Sequence, residues 1–155
     1  MLSDTVYNVL SKEGHRYILS FSPFNSVQLP ESIILPVAEV VIATEDNKGF
    51  NNASTLFQFT AHIKDYLLVN NVILYCYCDN REIDRGKRHL CLTPQEYRSL
   101  LFEAMFSRTN DDGFVIKTIV LTDLNGESHF IKLISVKANE EVLDTAFDEI
   151  LKMNK

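Results

Sequence analysis

Hydrophobic residues recur with a period near two along most of this chain, and with a period near 3.6 along three stretches. Two aromatic and β-branched runs flank Gly14 and predict a hairpin over residues 5–22. Residues 37–44 are rich in β-branched side chains and predict a third strand. Residues 52–70 place their apolar side chains on one side of a helix, so we expect a helix there.

The most continuous apolar run is Val-Ile-Leu-Tyr-Cys-Tyr-Cys at residues 72–78. A run of this kind, closed by Asp-Asn, predicts a strand that is buried on both faces and lies at the centre of the sheet. Behind it, Thr93 and Glu96 have the spacing of a capping box, with Pro94 at the first helical position. We therefore predict a second helix over residues 94–107.

A second hairpin and a last helix complete the predicted elements. Asn125-Gly126 predicts the turn that joins strands at residues 114–121 and 129–136, and Asn139 predicts the cap of the last helix. The order β-β-β-α-β-α-β-β-α then predicts a single α+β domain over residues 1–155, with a largely antiparallel sheet and about three helices on one face. The predicted first helix runs directly into the central strand, so a mixed sheet with one parallel pairing is the alternative.

Composition narrows the class of protein. With 46% apolar and 23% charged residues, the chain has the make-up of an ordinary soluble globular domain. A net charge of -6 argues against general nucleic-acid binding. Three cysteines, an odd number, favour reduced thiols in the cytoplasm. The chain start lacks the pattern of a signal peptide, and no window reaches the ~18 apolar residues of a membrane-spanning helix.

The segment behind the predicted central strand inverts the acidic composition. Its four basic residues are Arg81, Arg85, Lys87 and Arg88. Arginines make paired hydrogen bonds to phosphate or carboxylate, whereas internal pairing with Glu82 and Asp84 would neutralise the segment. We predict a non-enzymatic binding domain whose partner is a protein or a small anionic ligand, with Asp79 at the strand end and the four basic residues as its contact surface.

Two hypotheses from other classes stay open. Asp79, Glu82 and Asp84 could hold a magnesium ion in a hydrolase or nuclease-like enzyme. Because hairpins expose a sheet edge, a homodimer built on such an edge is the other hypothesis. The sequence contains no nucleophile elbow, phosphate-binding glycine loop, dinucleotide fingerprint or zinc-protease motif, so we expect no cofactor.

Cysteines, tyrosines and histidines offer weaker candidates. The cysteine and histidine set with zinc-binding residue types is Cys76, Cys78, His89 and Cys91. Cys-x-Cys inside an apolar strand lacks the turn of a zinc knuckle, so we favour buried core thiols over a metal site. Tyr75 and Tyr77 are predicted to pack in the core, and His129 has no evident partner nearby in the sequence.

The first two thirds of the chain contain a set of features that occur together in a known family. It consists of an aromatic hairpin from Tyr7 to Phe21, a middle helix, a strand ending in Cys-x-Cys-Asp, and spaced arginines at Arg85 and Arg88 ahead of the next helix. This arrangement resembles a family of small bacterial proteins of unknown function. The resemblance implies a bacterial, intracellular single domain, and it implies no activity, cofactor or site residue.

Overall fold

A computed structural model describes residues 4–10, 14, 16–24, 32–44, 53–78, 91–108 and 112–153. The strands are β1 (Thr5–Leu10), β2 (Arg16–Pro23), β3 (Val37–Thr44), β4 (Ile73–Cys78), β5 (Phe114–Thr122) and β6 (Ser128–Val136). The helices are α1 (Ala53–Val69), α2 (Pro94–Ser107) and α3 (Glu140–Met153), and a 3₁₀ turn at Lys137–Asn139 precedes α3. Among these described residues, no helix is long and apolar enough to cross a membrane.

The strands form one six-stranded sheet in the order β1-β2-β3-β4-β6-β5. Neighbouring strands are antiparallel except β3 and β4, which are parallel and are connected through α1. The predicted α+β class and element order are confirmed, and the sheet is mixed. β4 lies between β3 and β6, so its predicted central position is also confirmed.

The helices cover both faces of the sheet. Phe59 and Ile63 of α1 and Phe102 of α2 pack with the core on one face, while Leu143 and Ile150 of α3 pack with the core on the other face. The prediction that all helices share one face is therefore wrong. The reason lies in β6, where both sides are apolar: a single helical layer would leave half of that strand in contact with water.

The capping box of α2 and the glycines of the two hairpin turns have the conformations that the sequence predicts. The Thr93 hydroxyl accepts a hydrogen bond from the Glu96 amide at 3.2 Å, which completes the capping box of α2. Gly14 and Gly126 have φ angles of 87° and 82° in the two hairpin turns. This left-handed backbone favours glycine because a side chain would be strained there.

The prediction that Asn139 caps α3 is wrong. Its Nδ2 donates to Asn71 Oδ1 at 2.8 Å and to Ser135 Oγ at 2.9 Å, and Ser135 Oγ donates to the Val72 carbonyl at 2.7 Å. The amide is therefore used to join the end of β6 to the start of β4. This tertiary contact replaces the local cap, and a short 3₁₀ turn leads the chain into α3.

The edges of the sheet are β1 and β5. Lys117 lies in the middle of β5, and a lysine on an edge strand opposes pairing with a second sheet. Thr5–Leu10 contains no lysine or proline, so β1 is the less protected edge. A homodimer through an edge strand remains a prediction, and β1 is where we would expect it.

Candidate functional site

A cavity of about 200 Å³ opens at the carboxyl ends of the parallel strands β3 and β4. Its lining consists of Glu39, Val40, Val41 and Ile42 from β3, Cys76, Tyr77 and Cys78 from β4, and Arg98 and Phe102 from α2. Parallel pairing of the two strands extends to Glu39 and Tyr75, and the residues beyond this pair line the cavity. The carboxyl ends of parallel strands are where open sheets of this kind commonly bind ligands.

The two thiols of the cavity are buried core groups, as predicted for Cys76 and Cys78. A hydrogen bond with Cys78, together with burial, raises the pKa of the Cys76 thiol. The raised pKa keeps the Cys76 thiol protonated near neutral pH, and a protonated thiol is a poor nucleophile. Cys91 is exposed, and His89 lies outside the described residues, so the four-residue zinc set stays untested.

The predicted contact surface lies outside the described residues. This applies to all of Asp79, Arg81, Glu82, Asp84, Arg85, Lys87 and Arg88. The basic binding surface and the acidic hydrolase set therefore both remain predictions. The structure adds Arg98, which belongs to α2 and lines the cavity. In the sequence, Arg98 could have been noticed as a further basic residue, because it lies in the first turns of the helix that follows the basic segment.

A second polar cluster lies at the turn between β5 and β6. Ligand-type atoms of Asp123, Glu127 and His129 lie within 4.8 Å of one another. His129 Nε2 is 3.0 Å from Asp123 Oδ2, and His129 Nδ1 is 2.6 Å from the hydroxyl of Tyr77. The hydrogen bond to Tyr77 joins the turn between β5 and β6 to strand β4.

The Asp123 carboxylate is held from both sides. Its Oδ1 accepts hydrogen bonds from the amides of Asn125 at 2.9 Å and Glu127 at 3.0 Å. The hydrogen bond from His129, followed by that from the Glu127 amide, lowers the pKa of Asp123. Asp123 is thus an anion at neutral pH. Asp123 accepts a hydrogen bond from Nε2–H of the neutral His129 ring, and in this tautomer Nδ1 accepts the hydrogen bond from the Tyr77 hydroxyl.

The predictions for His129 and Tyr77 are wrong. His129 has a partner six residues away, because the turn closes through a hydrogen bond from the Asp123 amide to the Glu127 carbonyl at 2.9 Å. Tyr77 is 39% exposed, so it is not a core residue. Tyr75 is partly buried, and burial, with a smaller effect of Glu39, raises its pKa to about 12.

A third polar network lies beneath α2 and was not anticipated. The side chain of Lys132 in β6 is fully buried. Its Nζ lies 2.8 Å from Glu103 Oε1 and 2.6 Å from Thr118 Oγ1. Hydrogen bonds from Lys132 and Thr118 lower the pKa of Glu103, which keeps the carboxylate charged. The ammonium has no contact with solvent, and Glu103 balances its charge within the fold.

No family model, curated protein or solved structure matches this chain. The resemblance to a family of small bacterial proteins therefore stays a prediction.

Proposed function

We propose that this chain is a binding domain, rather than an enzyme, and that it holds an anionic group at the carboxyl ends of β3 and β4. The observation that carries the proposal is the cavity of about 200 Å³, whose lining includes Arg98. A guanidinium makes two parallel hydrogen bonds to a carboxylate or phosphate, which gives such a contact both orientation and affinity.

The remaining lining indicates what kind of ligand fits. Val40, Ile42 and Phe102 give the cavity an apolar wall, and its volume is below the roughly 300 Å³ at which pockets for drug-sized ligands begin. We therefore favour a small ligand with an apolar body and one anionic group for Arg98.

The basic segment supports the same location from the sequence. Arg81, Arg85, Lys87 and Arg88 lie between β4 and α2 in the chain, and both of these elements line the cavity. In a chain of net charge -6, a group of four basic residues at this point favours an anionic partner over a cationic one. A small anion or an acidic protein segment both satisfy this chemistry.

Backbone amide NMR of the full chain, titrated with inorganic phosphate and separately with benzoate, tests the proposal. We expect shifts at the amides of Tyr77, Cys78 and Arg98. Arg98→Ala should weaken binding at least tenfold, because it removes the cationic contact. Arg108→Ala is the matched control, since it removes the same charge from the exposed end of α2.

The basic segment is tested with the triple variant Arg81→Ala, Arg85→Ala and Arg88→Ala. We expect weaker binding of both anions, and we expect the variant to lose binding of a protein partner. If both probes leave the cavity amides unmoved, the anion-binding proposal is wrong. Unchanged affinity in the triple variant would remove the basic segment from the proposal and leave Arg98 in it.

A further inference from the structure

We propose that Asp123, Glu127 and His129 form a binding site for a divalent transition-metal ion, with Zn²⁺ preferred over Mg²⁺. The three side chains come from one β turn and the first residues of β6, so a short, well-paired hairpin fixes them relative to one another. This site is separate from the anion cavity and does not depend on it.

The spacing of the donor atoms fits a shared ion. Bonds of about 2.1 Å from zinc to nitrogen and oxygen place two neighbouring octahedral ligands about 3.0 Å apart, and two tetrahedral ligands about 3.4 Å apart. His129 Nε2 and Asp123 Oδ2 are 3.0 Å apart. Glu127 is exposed, and its ligand-type carboxylate oxygen lies within 4.8 Å of the ligand-type atoms of the other two residues. Solvent would complete the coordination.

Groups outside the three ligands already hold them in place. The Tyr77 hydroxyl contacts His129 Nδ1 at 2.6 Å, which fixes the plane of the ring. Gln95, only 5% exposed, directs its Nε2 to the Ser128 carbonyl at 3.0 Å and to Glu127 Oε1 at 3.5 Å. Outer partners of this kind orient metal ligands, and a histidine ligand almost always has one on its second nitrogen.

The donor types select the ion. Imidazole favours zinc, copper, iron and nickel, whereas magnesium and calcium prefer sites made only of oxygen. One imidazole with two carboxylates therefore favours a transition ion. A simple ion pair between His129 and Asp123 would involve two of the three residues, whereas a shared ion uses the third neighbouring donor, Glu127, as well.

Metal binding requires a rearrangement of protons that gives Tyr77 a specific part. The ion replaces the proton on His129 Nε2, and this proton leaves to solvent. Nδ1 takes up one proton from solvent, so the ring stays neutral and no net proton is released. The bond to Tyr77 then reverses, with Nδ1–H donating to the phenol oxygen. Tyr77→Phe removes this acceptor, and we expect it to weaken metal affinity about tenfold, in the range seen for outer-shell changes.

Isothermal titration of the full chain with ZnCl₂ and with MgCl₂ tests the proposal. We expect one zinc site and at least tenfold weaker binding of magnesium. His129→Ala should abolish zinc binding at this site, and Glu127→Gln should weaken it about tenfold. Cys91→Ser is the control, because an exposed thiol is the competing zinc ligand; it should leave the affinity unchanged.

Line broadening by Mn²⁺ in the unaltered chain provides a readout that does not depend on the folding of any variant. We expect the amides of residues 123–129 to broaden first. Zinc binding that survives His129→Ala but is lost in Cys91→Ser would overturn the proposal and favour a cysteine site. Broadening that begins elsewhere, or no binding of zinc, would also overturn it.

Discussion

Lys132 and His129 lie three residues apart on β6, and they show how burial divides the use of polar groups. An odd spacing places the two side chains on opposite faces of the sheet. Lys132 is sealed beneath α2, where Glu103 and Thr118 take up its hydrogen bonds. His129 is 28% exposed and contacts Asp123 and Tyr77 at the rim of the sheet. The ammonium of the first network is closed to solvent, while the histidine of the second is accessible to it.

The largest effect should come from Glu103→Ala. This variant leaves the Lys132 ammonium buried without its counter-ion, and loss of one partner from a buried pair costs about 3–5 kcal/mol. Because Glu103 itself is half exposed, water offsets part of this loss. We expect a decrease of about 2–3 kcal/mol in the free energy of unfolding, measured by urea denaturation.

Asp144→Ala is the matched control for that variant. Asp144 pairs with Lys117 at 2.9 Å, and both side chains are exposed. An exposed pair contributes about 0–1 kcal/mol, so the change should be small. Equal losses in Glu103→Ala and Asp144→Ala would contradict the structural role of the Lys132 network.

Lys132→Met should destabilise less than Glu103→Ala. Methionine has a similar length and fills the same space, and it carries no charge that needs a partner. The remaining Glu103 carboxylate can be solvated from its exposed side. We expect a loss of about 1 kcal/mol in the free energy of unfolding, and a greater loss than in Glu103→Ala would contradict the asymmetry between the two partners.

Acid should weaken the Lys132 network before it affects core packing. The pKa of Glu103 is lowered in the folded protein, so this carboxylate binds protons more readily when unfolded. Its contribution is fully present above the ordinary glutamate pKa of about 4.3 and is lost as pH falls through the lowered folded value. The free energy of unfolding, measured by urea denaturation at several pH values between 6 and 3, should therefore fall less with decreasing pH in Lys132→Met than in the unaltered chain.

Tyr66→Phe should have the smallest effect. The Tyr66 hydroxyl is buried and has no hydrogen-bond partner among the residues that the structure describes, while the ring stacks on Phe21 at 4.1 Å. Removing an unpaired buried hydroxyl relieves a desolvation cost and keeps the stacking. We expect the free energy of unfolding to stay within about 0.5 kcal/mol or to rise by up to about 1 kcal/mol. A clear loss in a thermal melt would indicate that the hydroxyl has a partner.

The fold was predictable where the signals are local. Alternation, the capping box at Thr93 and the glycine of each hairpin turn determine elements within a few residues, and these elements are confirmed. The face chosen by α3 was not predictable in this way, because β6 is apolar on both sides and only tertiary packing decides which helix covers each. Asn139 shows the same limit, since its amide joins two strands instead of capping a helix.

The candidate sites were less predictable than the fold. Asp123 and Gly126 are fully explained by turn chemistry, so a second use of Asp123 as a ligand leaves no separate trace in the sequence. Tyr77 reaches His129 across 52 residues of chain, through pairing of β4 with β6. Lys132 did carry a signal, because a lone lysine within an apolar strand must find a buried partner. The basic segment at residues 81–88 remains a hypothesis from composition.

The most direct test is the rise in melting temperature caused by zinc in His129→Ala and Glu103→Ala, compared with the unaltered chain. An ion that binds the folded state must raise its melting temperature. We predict that His129→Ala keeps nearly all of its stability and loses the zinc effect, whereas Glu103→Ala loses stability and keeps the zinc effect. Loss of the zinc effect in Glu103→Ala with its retention in His129→Ala would contradict the assignment of one network to the fold and the other to the ion.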